Sequence, residues 1–307
     1  MTDSSVRVPE ISTKHDGREI DCELVTRSGS EFYRQHTNSH SHHVDVVTGL
    51  DTPTKGAHDA MIVMDHREAI AHGYSPGEYQ LNSFGERTTT GSETNFPVWP
   101  DGAFNIPAIT GVQMSFVSTS ANDTAAGSNI RSLEMHYLDA NLVEMEETII
   151  LNGLTPVLSV ATDVRFIQCL HINTFGTIPN AAGIITASNA GIIYSQIAIG
   201  EVRCTSSFRM VPAGKKLFID ALIGSSISGT ATARTIIKMV STRLDNHSYQ
   251  FPLILIPLAS IGVQDNAVTL AMPSQGSFVA GDIVGFVHTS DKACTVSASF
   301  FGRLELV

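Results

Sequence analysis

The chain has 307 residues, with 19 basic against 30 acidic side chains and a formal net charge of −11, which argues against a phosphate-binding surface and so against nucleic acid as a partner. Hydrophobic residues make up 42% and charged residues 16% of the chain, enough apolar material for sizeable cores in roughly two domains at this length. No apolar run approaches the ~20 residues of a membrane span, and the longest stretch, Phe251–Ile261, is interrupted by Pro252 and Pro257. Residues 1–98 read differently from the rest. They hold most of the histidines and few continuous apolar runs. Ile20–Val25 is a weak strand candidate, and the segment SGSEFYRQHTNSHSHHVD (28–45) is too polar to form its own core. Asp65–Gly73 has the marks of a short helix: Asp65 as N-cap, Glu68 three residues later, Gly73 as the stop. The stretch 1–98 is expected to be an extended docking arm, and FPVWP (96–100), with the one Trp, to lead into the body.

The remainder reads as β-structure. Met114–Ser118, Ile130–Leu138 and Leu142–Leu151 are strand-like, separated by the small polar loop SANDTAAGSN (120–129) and by Asp139–Asn141, with Asn152–Gly153 as a turn. Together they are expected to form a meander. Val164–Thr174 follows, with Phe166, Cys169, Ile172 and Phe175 as core candidates, then a hairpin from Ile184–Ala187 and Ile192–Ile199. After a short linker, Phe208–Val211 runs into Pro212-Ala213-Gly214, a tight connection in which Pro fixes φ and Gly can go positive. Lys216–Gly224, Thr232–Arg243, Gln250–Leu258, Ala267–Met272, Gly281–His288 and Ala293–Leu306 complete the strands. The spacing of strands and Ser/Gly turns predicts an all-β chain: two antiparallel, jelly-roll-like β-sandwich domains, 99–200 and 201–307, behind the arm.

Candidate chemistry is sparse. His36, His40, His42, His43 and Asp45 could bind zinc or nickel through imidazole, but no further ligand has the spacing of a closed site, and contacts at subunit boundaries are the simpler reading. Asp139, Glu144, Glu146 and Glu147 could supply paired carboxylates for glycoside hydrolysis. On a strand, however, Glu144 and Glu146 point to one face and Glu147 to the other. Serine is abundant without a GxSxG elbow. Asp245, Asp265, Asp282 and Asp291 lie near loops without an EF-hand-like string, so turn chemistry is expected of them. No catalytic residue, cofactor or metal is therefore expected. The four cysteines, Cys22, Cys169, Cys204 and Cys294, are scattered and read as free thiols. The N-terminal MTDSSVRVPE has no apolar core of the kind that marks a signal peptide.

The string SANDTAAGSNIRSLEMHYLDANLVEMEETIILNGLTPV (120–157) resembles a module of virion structural proteins from tailed bacteriophages of marine and freshwater hosts. That module runs as SxxxNDTAAGxGxR followed by LDxNxxExxETxxLNGxTxV. The chain matches at Asn122, Asp123, Thr124, Ala125, Ala126, Gly127, Arg131, Leu138, Asp139, Asn141, Glu144, Glu147, Thr148, Leu151, Asn152, Gly153, Thr155 and Val157, and departs at Asn129, where Gly is usual. MDHREAIAHGYSPGEYQLNSFGER (64–87) upstream and FRMVPAGKKLFIDAL (208–222) downstream are similar to flanking segments of the same family, in the same order. The resemblance implies a structural role in a virion assembled in the bacterial cytoplasm: a capsid decoration, head fibre or spike. Alternatives within reach are a neck or tail protein that attaches a fibre, and a module that binds host glycan or receptor. The implied partners are copies of itself, as a homotrimer of the kind such spikes form, and the major capsid or neck and tail proteins. Adjacent Phe300 and Phe301 on one strand must point to opposite faces, so one of them needs cover from a partner.

Overall fold

The computed structural model describes residues 21–27 and 30–36 at the level of their strands, 78–228, 234–244, 247–248, 256–263, 267–271 and 277–307. Among these residues there is no helix, and every paired strand is antiparallel. The chain divides into two compact units, Met1–Ala69 and Ile70–Val307. In the first, β1 (Asp21–Arg27) and β2 (Ser30–His36) form a two-stranded hairpin, in register from Asp21↔His36 to Arg27↔Ser30. The expected strand at 20–25 is therefore present, paired with a segment that composition marks only as polar. The helix expected at Asp65–Gly73 lies outside the described residues.

The second unit begins with β3 (Glu78–Thr88) and β4 (Glu93–Pro97). Next come β5 (Ser115–Ser118), β6 (Ile130–Leu138), β7 (Glu144–Ile150), β8 (Val157–Leu158), β9 (Phe166–Phe175), β10 (Ile185–Asn189) and β11 (Ile192–Ile197). They are followed by β12 (Arg209–Met210), β13 (Lys215–Ile227), β14 (Thr235–Ser241), β15 (Arg243–Leu244) and β16 (His247–Ser248). The last are β17 (Ile256–Val263), β18 (Ala267–Ala271), β19 (Phe278–Val279), β20 (Ile283–Ser290) and β21 (Thr295–Leu306).

Residues 112–204 make two sheets, β11-β10-β5-β8 and β7-β6-β9. Inward residues of both, including Met114, Phe116, Leu133, Met135, Ile149, Leu170, Ile185 and Ile197, are buried in one core. Alternation explains the choice. On β6, Leu133, Met135 and Tyr137 face this core while Glu134 and His136 are turned outward. The expected meander is corrected here. β6 pairs with β7 as a hairpin, but β5 lies in the other sheet, so the loop 119–129 crosses from one sheet to its neighbour. Phe166 is buried as expected, whereas Phe175, at the end of β9, is exposed.

The C-terminal half also has two sheets, β18-β13-β21-β3 with β19 on β13, and β12-β20-β14-β17 with β4 on β20. Leu217, Leu222, Ile237, Met239, Val284, Phe286, Val296 and Phe300 are buried together between them. This arrangement moves the boundary of the expected arm. β3 pairs with β21 from Thr295↔Thr88 to Glu305↔Glu78, and Val98 sits in the same core, so residues 78–98 belong to the folded body. An 11-residue strand of alternating exposure is not legible as such in EYQLNSFGERT, because its partner strand lies more than two hundred residues further along the chain. Phe300 is fully buried and Phe301 is 40% exposed, the opposition required of neighbours on a strand.

A third cluster joins the two halves. Leu138 and Phe166 from the first pack with Phe208, Met210, Val240, Ile283 and Val287 from the second. Phe104 stacks on Phe208 with ring centroids 3.9 Å apart, and Trp99 meets Phe104 edge-on at 6.1 Å. The buried Arg165 donates to the Pro107 carbonyl, and Lys215 pairs with Glu144 across the joint.

β4 is held to β20 by charge. Arg87 grips Glu93 through two hydrogen bonds of 2.8 and 2.7 Å, and His288 Nε2 lies 3.1 Å from the same carboxylate. The Arg87 bonds hold the Glu93 carboxyl below its ordinary value, with the His288 ring adding to the effect and burial opposing it. Burial pushes the fully enclosed His288 below its ordinary 6.5, against the pull of Glu93.

Two outcomes test this architecture. Deletion of 1–69 should leave a cooperatively melting body, whereas deletion of 1–98 removes β3 and β4 and should abolish the transition; equal melting of both would contradict the assignment. For pH, both shifted groups have depressed folded-state values, so the unfolded chain binds more protons on acidification and stability falls. Tm should decline as pH drops below about 6.5, the ordinary histidine value, and again below about 4.5 as Glu93 is protonated. His288→Gln should flatten the first decline; a wild-type Tm insensitive to pH through that window would refute it.

Candidate functional site

The loop that carries the phage-like string is built around one carboxylate. Asp123 is fully buried. Its Oδ1 accepts from the N–H of Ala182 (3.0 Å) and Ile130 (3.3 Å), and its Oδ2 from the N–H of Gly183 (2.9 Å) and the hydroxyl of Ser118 (2.7 Å). These partners lie at the end of β5, the start of β6 and the approach to β10, so a single side chain fixes the crossover between two sheets. Burial of a carboxylate is tolerated because its lone pairs are met by donors.

The two halves of the string meet in space. Thr124 bridges to Asn152, Ala125 N–H donates to Leu151 O (3.1 Å), and Gly153 N–H donates to Asp123 O (2.8 Å). Gly127 is required sterically, since a Cβ there would lie 2.0 Å from Asn122 O. Gly153 has φ +58°, the left-handed region that favours glycine. Arg131 Nε donates to Gly127 O at 3.0 Å. Asn129, the departure from the family pattern, does not adopt positive φ. Its buried amide instead donates to Asn180 O at 3.1 Å. Asp139 closes the β6–β7 turn by accepting from Asn141 and Val143 N–H, both at 2.8 Å, with Leu142 at φ 63°.

The acids weighed as a glycosidase pair do not converge. Glu144 binds Lys215, Glu146 lies beside His136, and Glu147 accepts from the N–H of Val160 (2.6 Å) and Ala161 (3.0 Å). Asp282 accepts from Val279 N–H, three residues away, which is turn chemistry; Asp291 instead accepts from Arg234 N–H, 57 residues away in sequence. Asp245 and Asp265 lie outside the described residues, as do His40, His42, His43 and Asp45; His36 ends β2.

Two groupings join residues that spacing alone keeps apart. Cys169 on β9 and Cys204 have sulfurs 3.8 Å apart, with Leu170 N–H donating to Cys204 Sγ at 3.3 Å. Both are free thiols, as is Cys294; the Cys22 side chain lies outside the described residues. A hydrogen bond from the Cys169 thiol, with the charge of Arg209, pulls Cys204 down, and the same bond and burial push Cys169 up. The second grouping lies on the outward face of β7-β6-β9. Glu134 and His136 on β6 stand beside His171 on β9, with one ligand atom from each within 4.8 Å of the others. A Glu-x-His pair on a strand puts both side chains on one face, but the register to β9 that supplies His171 has no local signal in the sequence.

No family model and no curated protein matches the sequence. Among solved structures, a chain of infectious bursal disease virus, Gt strain, aligns at 11% identity over 75% of this chain and 77% of its own, with a TM-score of 0.15. The VP2 subviral particle of the same virus aligns at 10% identity, 76% and 81% coverage and a TM-score of 0.11. TM-scores of this size carry no argument about fold or role.

Asp123→Ala strands the buried N–H groups of Ile130, Ala182 and Gly183 and should cost about 3–5 kcal/mol in denaturant unfolding. Asp123→Asn keeps one acceptor and should cost less. A stability within 1 kcal/mol (roughly the spread of ordinary surface substitutions) for Asp123→Ala would show that the loop is held by other means.

Proposed function

We propose that this chain is a non-enzymatic structural component of a tailed-phage virion, a capsid decoration, head-fibre or spike protein whose body is two antiparallel β-sandwiches. The observation that carries the reading is the convergence of the phage-like string on itself. Asp123, Thr124, Ala125 and Gly127 from its first half engage Leu151, Asn152 and Gly153 from its second, and their polar atoms are spent on holding a loop. A string whose polar atoms are used in this way specifies a shape. A catalytic signature would instead leave polar groups aimed at a substrate.

Exposed apolar residues support assembly. Ile150 (61%), Leu154 (61%), Leu158 (61%) and Val160 (86%) lie on the edge strands β7 and β8 and beside them. Edge strands rimmed with bare apolar side chains invite pairing, and cover from other copies or from capsid proteins removes that hazard. Residues 1–69, a separate unit with its own hairpin, serve in this reading as the docking element. No helix among the described residues is long and apolar enough to cross a membrane.

Mass spectrometry of density-purified particles should find the chain at stoichiometric copy number, and the 1–69 deletion should be missing from them. Light scattering of the purified protein should give a multiple of 32.9 kDa, three for a trimer. Particles that lack the wild-type chain would overturn the virion reading; a stable monomer would overturn the trimer.

A further inference from the structure

We propose that Glu134, His136 and His171 form a binding site for one divalent transition-metal ion, zinc by its ligand chemistry, on the outward face of the β7-β6-β9 sheet. The register makes the site. Glu134 stands directly opposite His171 on β9, and His136 directly opposite Glu146 on β7. The carboxylate of Glu134 is shared between the two rings: Oε1 is 3.5 Å from His136 Nε2 and Oε2 is 3.4 Å from His171 Nε2. These separations exceed the ~2.9 Å of a good N–H···O hydrogen bond. Each is close to the ~3.4 Å edge of a tetrahedron whose metal–ligand bonds are ~2.1 Å, and one ligand atom from each of the three residues lies within 4.8 Å of the others. The two imidazoles stack with centroids 4.9 Å apart and planes 22° from parallel, so both present Nε2 on the side of the same carboxylate.

The second ring nitrogen supplies independent support. His136 Nδ1 lies 3.1 Å from Glu146 Oε1. A carboxylate beside Nδ1 favours the proton on that nitrogen, which leaves the lone pair on Nε2, the atom that faces the cluster; carboxylates so placed orient metal-bound histidines. Two imidazole nitrogens and one carboxylate oxygen suit zinc among the common divalent ions, and a three-residue set leaves one position for water. The side chains of Glu134, His136 and His171 are 29%, 32% and 37% exposed, which gives the ion an entry path and the water its place. All three residues belong to the second unit, and the site goes beyond the structural role proposed above.

The test uses the full chain, stripped with chelator and titrated with Zn2+ by calorimetry at neutral pH. His136→Ala/His171→Ala should bind one equivalent fewer than wild type. A triple variant, His40→Ala/His42→Ala/His43→Ala, should retain that equivalent, which separates the sheet site from the N-terminal histidines. Glu146→Gln removes no ligand and should weaken the site about tenfold or more. Co2+ should give the intense visible absorption of a four-coordinate ion in wild type and not in the double variant. Both rings are part-exposed, so circular dichroism of the metal-free double variant should match wild type. If the double variant were misfolded, Glu146→Gln and the cobalt spectrum of wild type would carry the result. Equal Zn2+ stoichiometry and affinity in wild type, double variant and Glu146→Gln, or no binding by wild type, overturns the proposal.

Discussion

A buried carboxylate with four donors is the constraint on which the N-terminal half of the body depends. Two sheets that face each other across an apolar core must exchange the chain somewhere, and the exchange exposes backbone N–H groups that neither sheet can satisfy. Asp123 satisfies three of them at once and adds the Ser118 hydroxyl. Because the acceptors sit on one rigid planar group, the end of β5, the start of β6 and the approach to β10 are fixed relative to one another. The cores on either side can then be filled by residues of ordinary shape. Few substitutions for Asp123 would do the same, since an amide lacks the second acceptor and an aliphatic residue lacks both.

The two halves are joined differently. There the contact is apolar and aromatic, through Phe104, Phe166 and Phe208, with polar ties between Gln168 and the Met210 backbone, from Ala213 N–H to Leu142 O, and from Lys215 to Glu144. Val98 and Trp99 sit at the hinge between the first two strands of the body and this joint, and both are buried. The halves are therefore coupled through packing, and a substitution such as Phe208→Ala acts on both.

What was legible in the sequence follows the range of the interactions. The hairpin of β6 and β7 could be read from the Asp139 turn, and the hairpin of β10 and β11 from Asn189-Ala190-Gly191, because a turn and its flanking strands are contiguous. The all-β class followed from the same local rhythm. The sheet to which β5 belongs could not be read, because the crossover at 119–129 looks like any polar loop until the donors at 182 and 183 arrive to meet Asp123. The same holds for β3, which reads as part of an arm because its partner strand is remote in sequence. Cys169 with Cys204, and His171 with Glu134 and His136, are likewise products of register. The histidines that composition makes conspicuous are those at 36–43, whereas a Glu-x-His pair on β6 completed by one histidine from β9 carries no such mark.

The position of β21 has a consequence for how the molecule is made. This strand lies between β13 and β3, with twelve residue partners on one side and eleven on the other. During synthesis β3 is among the first parts of the body to leave the ribosome, yet it has no strand to pair with until residues 295–306 have followed. That sheet, already begun by β13 with β18 and β19, cannot be completed over its core until β21 has been made. Contacts of such long sequence separation are entropically slow to form. Until then the nascent chain carries an unpaired strand, and the polar and charged residues of β3 (Glu78, Gln80, Glu86, Arg87) keep that waiting strand in water.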